Sequence, residues 1–159
     1  KVKDTAELMD ILSQRLLKRL KAEKYATGIF LIYDASKGVF EYTNAGHNNL
    51  ILYNKKEEKI EELEGGKGVP IGIFEDAKYE TAKCKLGKGD VILLQTDGIY
   101  ESMNDKREQF GLNRVKKLLE VNVGKEPGDI NKSIVSEVDS FRGNKTQADD
   151  ITIIAMKKK

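Results

Sequence analysis

The spacing of apolar positions changes period several times along the chain, and each change marks an element. Residues 4 to about 24 place Leu8, Met9, Ile11, Leu12, Leu16 and Leu20 on one helical face, with Lys18, Arg19, Lys21 and Lys24 mostly elsewhere. That pattern predicts an amphipathic helix. Asp4, followed three residues on by Glu7, has the form of a capping box with Asp in place of Ser or Thr. From Gly28 the period becomes strand-like. Ile29-Phe30-Leu31-Ile32-Tyr33 is a short run of β-formers ended by the turn signal Asp34-Ala35-Ser36-Lys37-Gly38, and residues 39–43 return as its partner. Residues 50–53 and 59–63 flank the polar stretch 54–58 and predict a second hairpin.

Gly65-Gly66-Lys67-Gly68-Val69-Pro70 invites comparison with a phosphate cradle. A P-loop needs its last glycine directly before Lys-Ser or Lys-Thr at a helix start, whereas Val69-Pro70 and the apolar run Ile71-Gly72-Ile73-Phe74 follow here, so the stretch reads as a connecting loop. Residues 79–86 and 90–96 read as another pair of strands joined by Gly87-Lys88-Gly89, the second holding the buried run Val91-Ile92-Leu93-Leu94. Helices are expected over 112–121 and 129–141, separated by the breaker cluster Gly124-Lys125-Glu126-Pro127-Gly128, and a last strand over 151–156 before a lysine tail. A helix, six or seven mostly antiparallel strands, two helices and a final strand make an α+β order rather than a doubly wound α/β one.

Composition narrows the class. A length of 159 residues, 39% hydrophobic and 34% charged with two prolines, fits a single soluble globular domain. The 28 basic and 26 acidic residues leave a net charge of +2, which provides no broad field for nucleic acid, and no nucleic-acid partner is expected. Cys84 is the only cysteine and reads as a filler in a reducing compartment. No apolar run approaches the roughly 18 residues of a membrane span and no targeting segment opens the chain, so a cytoplasmic location is expected. The opening at Lys1 rather than Met reads as a piece or processed form of something longer.

Two carboxylate clusters stand at predicted strand ends. In Gln95-Thr96-Asp97-Gly98 the buried strand stops and a glycine frees the backbone to turn; in Ala148-Asp149-Asp150-Ile151-Thr152 paired aspartates open the last strand. Carboxylates on rigid strand ends are what hard divalent cations require, because those ions take oxygen ligands. Read as residues alone, Asp-Gly is equally a common turn dipeptide and Asp-Asp a device that ends pairing.

The wider pattern bears on that choice. Thr43-Asn44-Ala45-Gly46-His47-Asn48, Val69-Pro70-Ile71-Gly72-Ile73, Leu86-Gly87-Lys88-Gly89-Asp90-Val91-Ile92-Leu93-Leu94-Gln95-Thr96-Asp97-Gly98-Ile99-Tyr100-Glu101, Phe110-Gly111 and Asp149-Asp150-Ile151-Thr152 resemble, in order and spacing, the successive motifs of SpoIIE-type phosphatases. These are the bacterial branch of the metal-dependent protein phosphatase 2C (PPM) family. The resemblance implies a four-layer αββα sandwich of two mostly antiparallel sheets flanked by helices. It also implies two divalent ions, Mn2+ or Mg2+, that activate a water for in-line attack on phosphoserine or phosphothreonine. Asp97 and Asp149 are the implied metal ligands, with Asp150 as the alternative to Asp149. No catalytic residue beyond the metal ligands is implied, in keeping with the absence of a Gly-x-Ser-x-Gly elbow or a base beside Cys84.

Gly98 is the turn residue beside Asp97. His47, the single histidine, and Glu101 read as near-site or structural groups. Family phosphatases commonly carry an N-terminal sensor or receiver domain and act on a phosphorylated anti-sigma-factor antagonist, which is the partner expected. One departure is plain: the family's bridging aspartate and its Gly-His-Gly motif would precede residue 4. No Gly-His-Gly occurs, and Asp4, Asp10 and Asp34 stand in no comparable context. The expectation is therefore an N-terminally truncated domain, residues 1–159 forming the C-terminal two-thirds or more of the family domain, with exposed sheet edges. The alternative is an inactive pseudophosphatase that serves as a protein-binding regulatory module.

Overall fold

The structure, a computed structural model, describes residues 2–19 and 24–159. In chain order its elements are α1 (Thr5–Leu17), β1 (Gly28–Asp34), β2 (Val39–Ala45), β3 (Leu50–Asn54), β4 (Lys59–Leu63), β5 (Lys67–Gly68), β6 (Ala82–Lys85), β7 (Val91–Gln95), α2 (Asp97–Tyr100), α3 (Leu112–Asn122), α4 (Pro127–Arg142) and β8 (Ile153–Lys157). They fall into two compact units: one runs to Asn49 and resumes over Glu64–Leu86, and the other comprises Leu50–Leu63 and Gly87–Lys159.

In the first unit the start of α1 follows from its cap. Asp4 accepts the Glu7 backbone N–H at 2.9 Å, which satisfies one of the free donors of the first turn. Glu7 answers from the other side by accepting the Lys3 N–H at 2.6 Å, one residue short of a true capping box. The helix ends at Leu17, with Lys18 as its C-cap and Arg19 N–H bonded to Leu16 O, earlier than the 3.6-residue pattern predicts. Leu20 and Lys21 of the predicted helix lie outside the described residues. Of the predicted face Met9 is buried and Leu16 packs against the same cluster, whereas Leu12 is exposed and the polar Thr5 and Ser13 complete the buried stripe. These two are polar because β2 and the loop after β5 offer partners. Thr5 Oγ1 accepts from Thr43 Oγ1 at 2.9 Å, and Ser13 Oγ accepts the Gly72 N–H at 3.0 Å.

Strands β1 and β2 form the predicted hairpin, paired antiparallel from Gly28↔Ala45 to Asp34↔Val39. The other edge of β2 takes β6 antiparallel over residues 39–42 and β5 parallel at Asn44 and Ala45. Strand β5 lies inside the glycine-rich stretch, and the next element after it is the strand β6 rather than a helix. Gly66 sits at φ +62°, where a Cβ would come within 2.6 Å of the Tyr42 carbonyl, so glycine there serves close backbone approach.

The second unit holds a fully antiparallel sheet in the order β4-β3-β7-β8. Val91 and Leu93 of β7 and Ile51 of β3 face a core completed by Val115 and Leu119 of α3 and Ile130, Ile134 and Val138 of α4. Two readings of the sequence change here. Helix α4 begins at Pro127, inside the expected breaker cluster, because proline's fixed φ and missing N–H suit the first helical position. The segments 79–86 and 90–96 are not neighbours: β6 pairs with β2, whereas β7 pairs with β3 and β8. The redirection is made by Asp90, whose carboxylate accepts the Gly87 N–H and the Lys55 N–H, each at 2.7 Å, with Gly89 at φ +86°. The class is α+β, with two mainly antiparallel sheets, each carrying helices. Among the described residues no helix is long and apolar enough to cross a membrane.

Candidate functional site

The buried strand β7 ends at Gln95, and the chain turns at once into the single-turn helix α2 rather than into a simple β-turn. Asp97 is its first residue, exposed, with its carboxylate accepting the Gly98 N–H at 3.1 Å. Thr96 stands at the N-cap position, yet its side chain makes no capping bond. Its hydroxyl is used elsewhere, donating to the Asp150 carbonyl at 3.0 Å and accepting the Thr152 N–H at 2.9 Å, while the Thr96 N–H bonds Thr152 O at 3.0 Å. The segment 149–152, which the sequence assigns partly to the last strand, is thereby laced to the end of β7 before β8 begins at Ile153.

Gly98 makes that lacing close. A Cβ at this position would stand 2.5 Å from the Asp150 carbonyl oxygen and 3.2 Å from that of Asp149. Only glycine lets the backbones of the two carboxylate segments touch, so Asp97 and Asp149 spring from strand-end backbone in mutual contact. Asp149 turns its Oδ1 to the Asp150 N–H at 2.7 Å, and its carbonyl accepts from Gln147 Nε2 at 2.8 Å. Asp150 is exposed, and it enters the contact through its carbonyl and N–H.

Beside this junction lies a cleft of about 240 Å³, lined by Glu101, Ser102, Arg142, Lys145 and Asp149, among others, with Gly98 in its wall. Ser102 Oγ donates to the Gly98 carbonyl at 2.6 Å and ties the end of α2 down. Glu101 caps α2 from its C-terminal side and is exposed to the cleft. Arg142, at the C-terminal end of α4, is paired with Asp139 at 2.7 Å.

His47 belongs to the first unit. Asn44 brackets its backbone, accepting the His47 N–H at 2.7 Å and donating to its carbonyl at 2.9 Å, and the ring Nδ1 lies 3.1 Å from Thr27 Oγ1. Sequence reasoning missed Thr96, Gln147 and Arg142. Thr96 stands next to Asp97 at the end of β7, and that position is its signal in the sequence; the other two carry none.

Asp97, Asp149 and Asp150 offer the carboxylate oxygens a hard divalent cation takes, on segments whose backbones meet at Gly98. The set falls short of a full cage, for among the described residues no three His, Cys, Asp or Glu side chains are grouped to hold a metal ion. The residues therefore fit part of such a site.

Solved structures share this arrangement of elements. The SiaA-PP2C domain of Pseudomonas aeruginosa superposes with a TM-score of 0.81 at 21% identity, over 98% of this chain and 61% of that one. A manganese-presoaked structure of the phosphatase domain of the cell fate determinant SpoIIE from Bacillus subtilis does so at 0.66 and 18% identity, over 99% and 73%. The fold is that of a PP2C-type phosphatase domain. The family model for stage II sporulation protein E matches residues 2–159, and the chain belongs to the SpoIIE family of serine/threonine phosphatases. Phosphoserine phosphatase RsbU of Bacillus subtilis (strain 168) is 27% identical over 156 residues, which cover 97% of this chain and 45% of RsbU. The chain thus spans about half the length of that relative.

Proposed function

We propose that residues 1–159 act as one phosphatase-like domain that hydrolyses phosphoserine or phosphothreonine on a partner protein. The observation that carries this reading is the contact at Gly98, which brings the Asp97 and Asp149 segments together in a chain of the SpoIIE family. Asp97 and Asp149 are the residues that hold the metal, and Asp150, bound through its backbone, is the lesser candidate. When bound, Mn2+ or Mg2+ supplies Lewis-acid neutralisation of the phosphoryl oxygens and lowers the pKa of water. Thr96, Gly98 and Ser102 keep α2 and the 149–152 segment in register. The neighbouring cleft, with Lys145 and Glu101 on its walls, receives the chain that carries the phosphate. His47 holds a turn rather than a proton in transit.

The partner of this reading is a phosphorylated anti-sigma-factor antagonist in the cytoplasm, with the intact protein joining a sensor or receiver domain to these residues. RsbU, a phosphoserine phosphatase, supports the substrate class. The test is hydrolysis of a phosphoserine protein by the intact protein with manganese. Asp97→Asn is expected to lower the rate about 10³-fold, roughly 4 kcal/mol of barrier. Undiminished activity in that variant overturns the metal assignment.

A second reading is favoured by the absence, among the described residues, of a third grouped ligand. On it the protein is a pseudophosphatase that docks its partner without turnover. Calorimetric titration of the intact protein with manganese separates the two: a pseudophosphatase binds at most one ion weakly and hydrolyses nothing.

A further inference from the structure

The backbone at Asp149 and Asp150 is held from two sides. The Thr96 hydroxyl takes the Asp150 carbonyl, and on the other side Gln147 Nε2 donates to the Asp149 carbonyl at 2.8 Å. A glutamine amide presents an acceptor oxygen and a donor NH2 of nearly the same shape, so its orientation is set by what it faces. Here Arg142 decides. Its Nη1 donates to Gln147 Oε1 at 3.3 Å, and a guanidinium offers donors only, so the oxygen must face it and the NH2 is left for Asp149. Arg142 is itself aimed by Asp139, one turn earlier on α4, which accepts from Nη2 at 2.7 Å. The Arg142 side chain is 18% exposed, and α4 is seated in the core through Ile134 and Val138, so the relay starts from an immobile base.

We propose that Gln147 is a positioning residue for Asp149. Its amide, oriented by the Asp139–Arg142 pair, pins the Asp149 carbonyl and so fixes the direction in which the Asp149 carboxylate leaves the loop. The proposal rests on the reading of Asp149 as a metal ligand. Gln147 is exposed, so its bonds contribute little to folding, and their effect falls on the ligand geometry. Partners bonded directly to a ligating side chain alter metal affinity about 10- to 100-fold when removed, and Gln147, which bonds the backbone of Asp149, stands at the low end of that range.

The experiment measures manganese affinity of the intact protein by calorimetry and by the EPR signal of free Mn2+, for the wild type, Gln147→Leu, Arg142→Ala, their double variant and Asp97→Asn. Gln147→Leu is expected to weaken manganese binding about tenfold, with hydrolysis largely recovered when manganese is raised and the melting temperature of the metal-free protein little changed. Arg142→Ala moves in the same direction, Arg142→Lys restores part of the loss, and the double variant binds no worse than the weaker single one. Affinity that is unchanged in Gln147→Leu but lost in Asp97→Asn overturns this inference and leaves the functional reading standing. So does a Gln147→Leu protein that loses melting temperature and turnover together at unaltered metal affinity. A wild type that binds no manganese overturns both.

Discussion

Strands β1 and β7 are built from the same kind of residue and live in different surroundings. Strand β1 reads Gly-Ile-Phe-Leu-Ile-Tyr-Asp and β7 reads Val-Ile-Leu-Leu-Gln. Strand β7 lies between β3 and β8, and its Val91, Ile92 and Leu93 are all 0% exposed. Strand β1 has one strand neighbour among the described residues, β2, and leaves Phe30 36%, Ile32 50% and Tyr33 40% exposed. Burial in a sheet comes from occupied edges and covered faces, and an apolar run does not carry that information by itself. The difference matters for the site, because Asp97 leaves the end of the strand that cannot move without disturbing the core of its unit.

The largest expected effect tests that contrast directly. Leu93→Ala removes a fully buried side chain under α3 and α4 and should cost about 2–5 kcal/mol, whereas Ile32→Ala on β1 should stay within about 0.5 kcal/mol. Urea unfolding of both variants measures the two numbers. Equal losses would mean that β1 is covered in solution and the contrast is wrong.

A smaller effect is expected at the junction itself, where two terms oppose each other. Gly98 lies inside α2, and alanine is intrinsically better in a helix by about 1 kcal/mol. Against that, the new methyl would meet backbone atoms of Asp150 and Asp149 at 2.5–3.2 Å, and displacing packed backbone costs about 1–3 kcal/mol. Gly98→Ala should therefore be destabilised by up to about 2 kcal/mol net, and should lose manganese affinity because the Asp149 segment is pushed off the end of β7. A variant that gains stability and keeps its affinity would show that the two segments do not touch.

The hairpins, the buried run of β7 and the positions of α3 and α4 were legible because each rests on local chemistry: period, turn residues, β-branched content. The sheet membership of β6 and β7 was not, since the Asp90 carboxylate that redirects the chain bonds Lys55, which is 35 residues away in sequence. The two polar positions on the buried face of α1 were not legible for a related reason. Thr5 and Ser13 look like surface residues until Thr43 and Gly72 supply their partners. At the site, the acidic positions were visible as strand-end motifs. The lacing by Thr96 and the approach at Gly98 were not, because both depend on a segment more than fifty residues later in the chain. Arg142 ends α4 and Gln147 sits in the ordinary polar stretch that follows it, and neither carries a signal in the sequence.

The smallest effect concerns what holds β1 in place of a core. Asp34 closes the strand: its Oδ1 accepts from Ser36 Oγ at 2.6 Å and from the Ser36 and Lys37 N–H groups at 3.0 and 3.2 Å, and Lys37 Nζ lies 3.0 Å from Oδ2. The Ser36 bond first, and then Lys37, lower its pKa from 3.8 to about 2. A carboxylate depressed by folding stabilises the folded state above its unfolded pKa, and that contribution is lost as pH falls through about 2. Asp34→Asn keeps an acceptor oxygen but removes the charge, so its β1–β2 turn should lose less protection between about pH 4 and pH 2 than the wild-type turn does. Hydrogen exchange at the Ser36 and Lys37 amides reads this out at the turn. Identical acid profiles for the two proteins would place the hold on β1 in its strand pairing with β2 alone, while β7, buried between two neighbours, should show no counterpart at either pH.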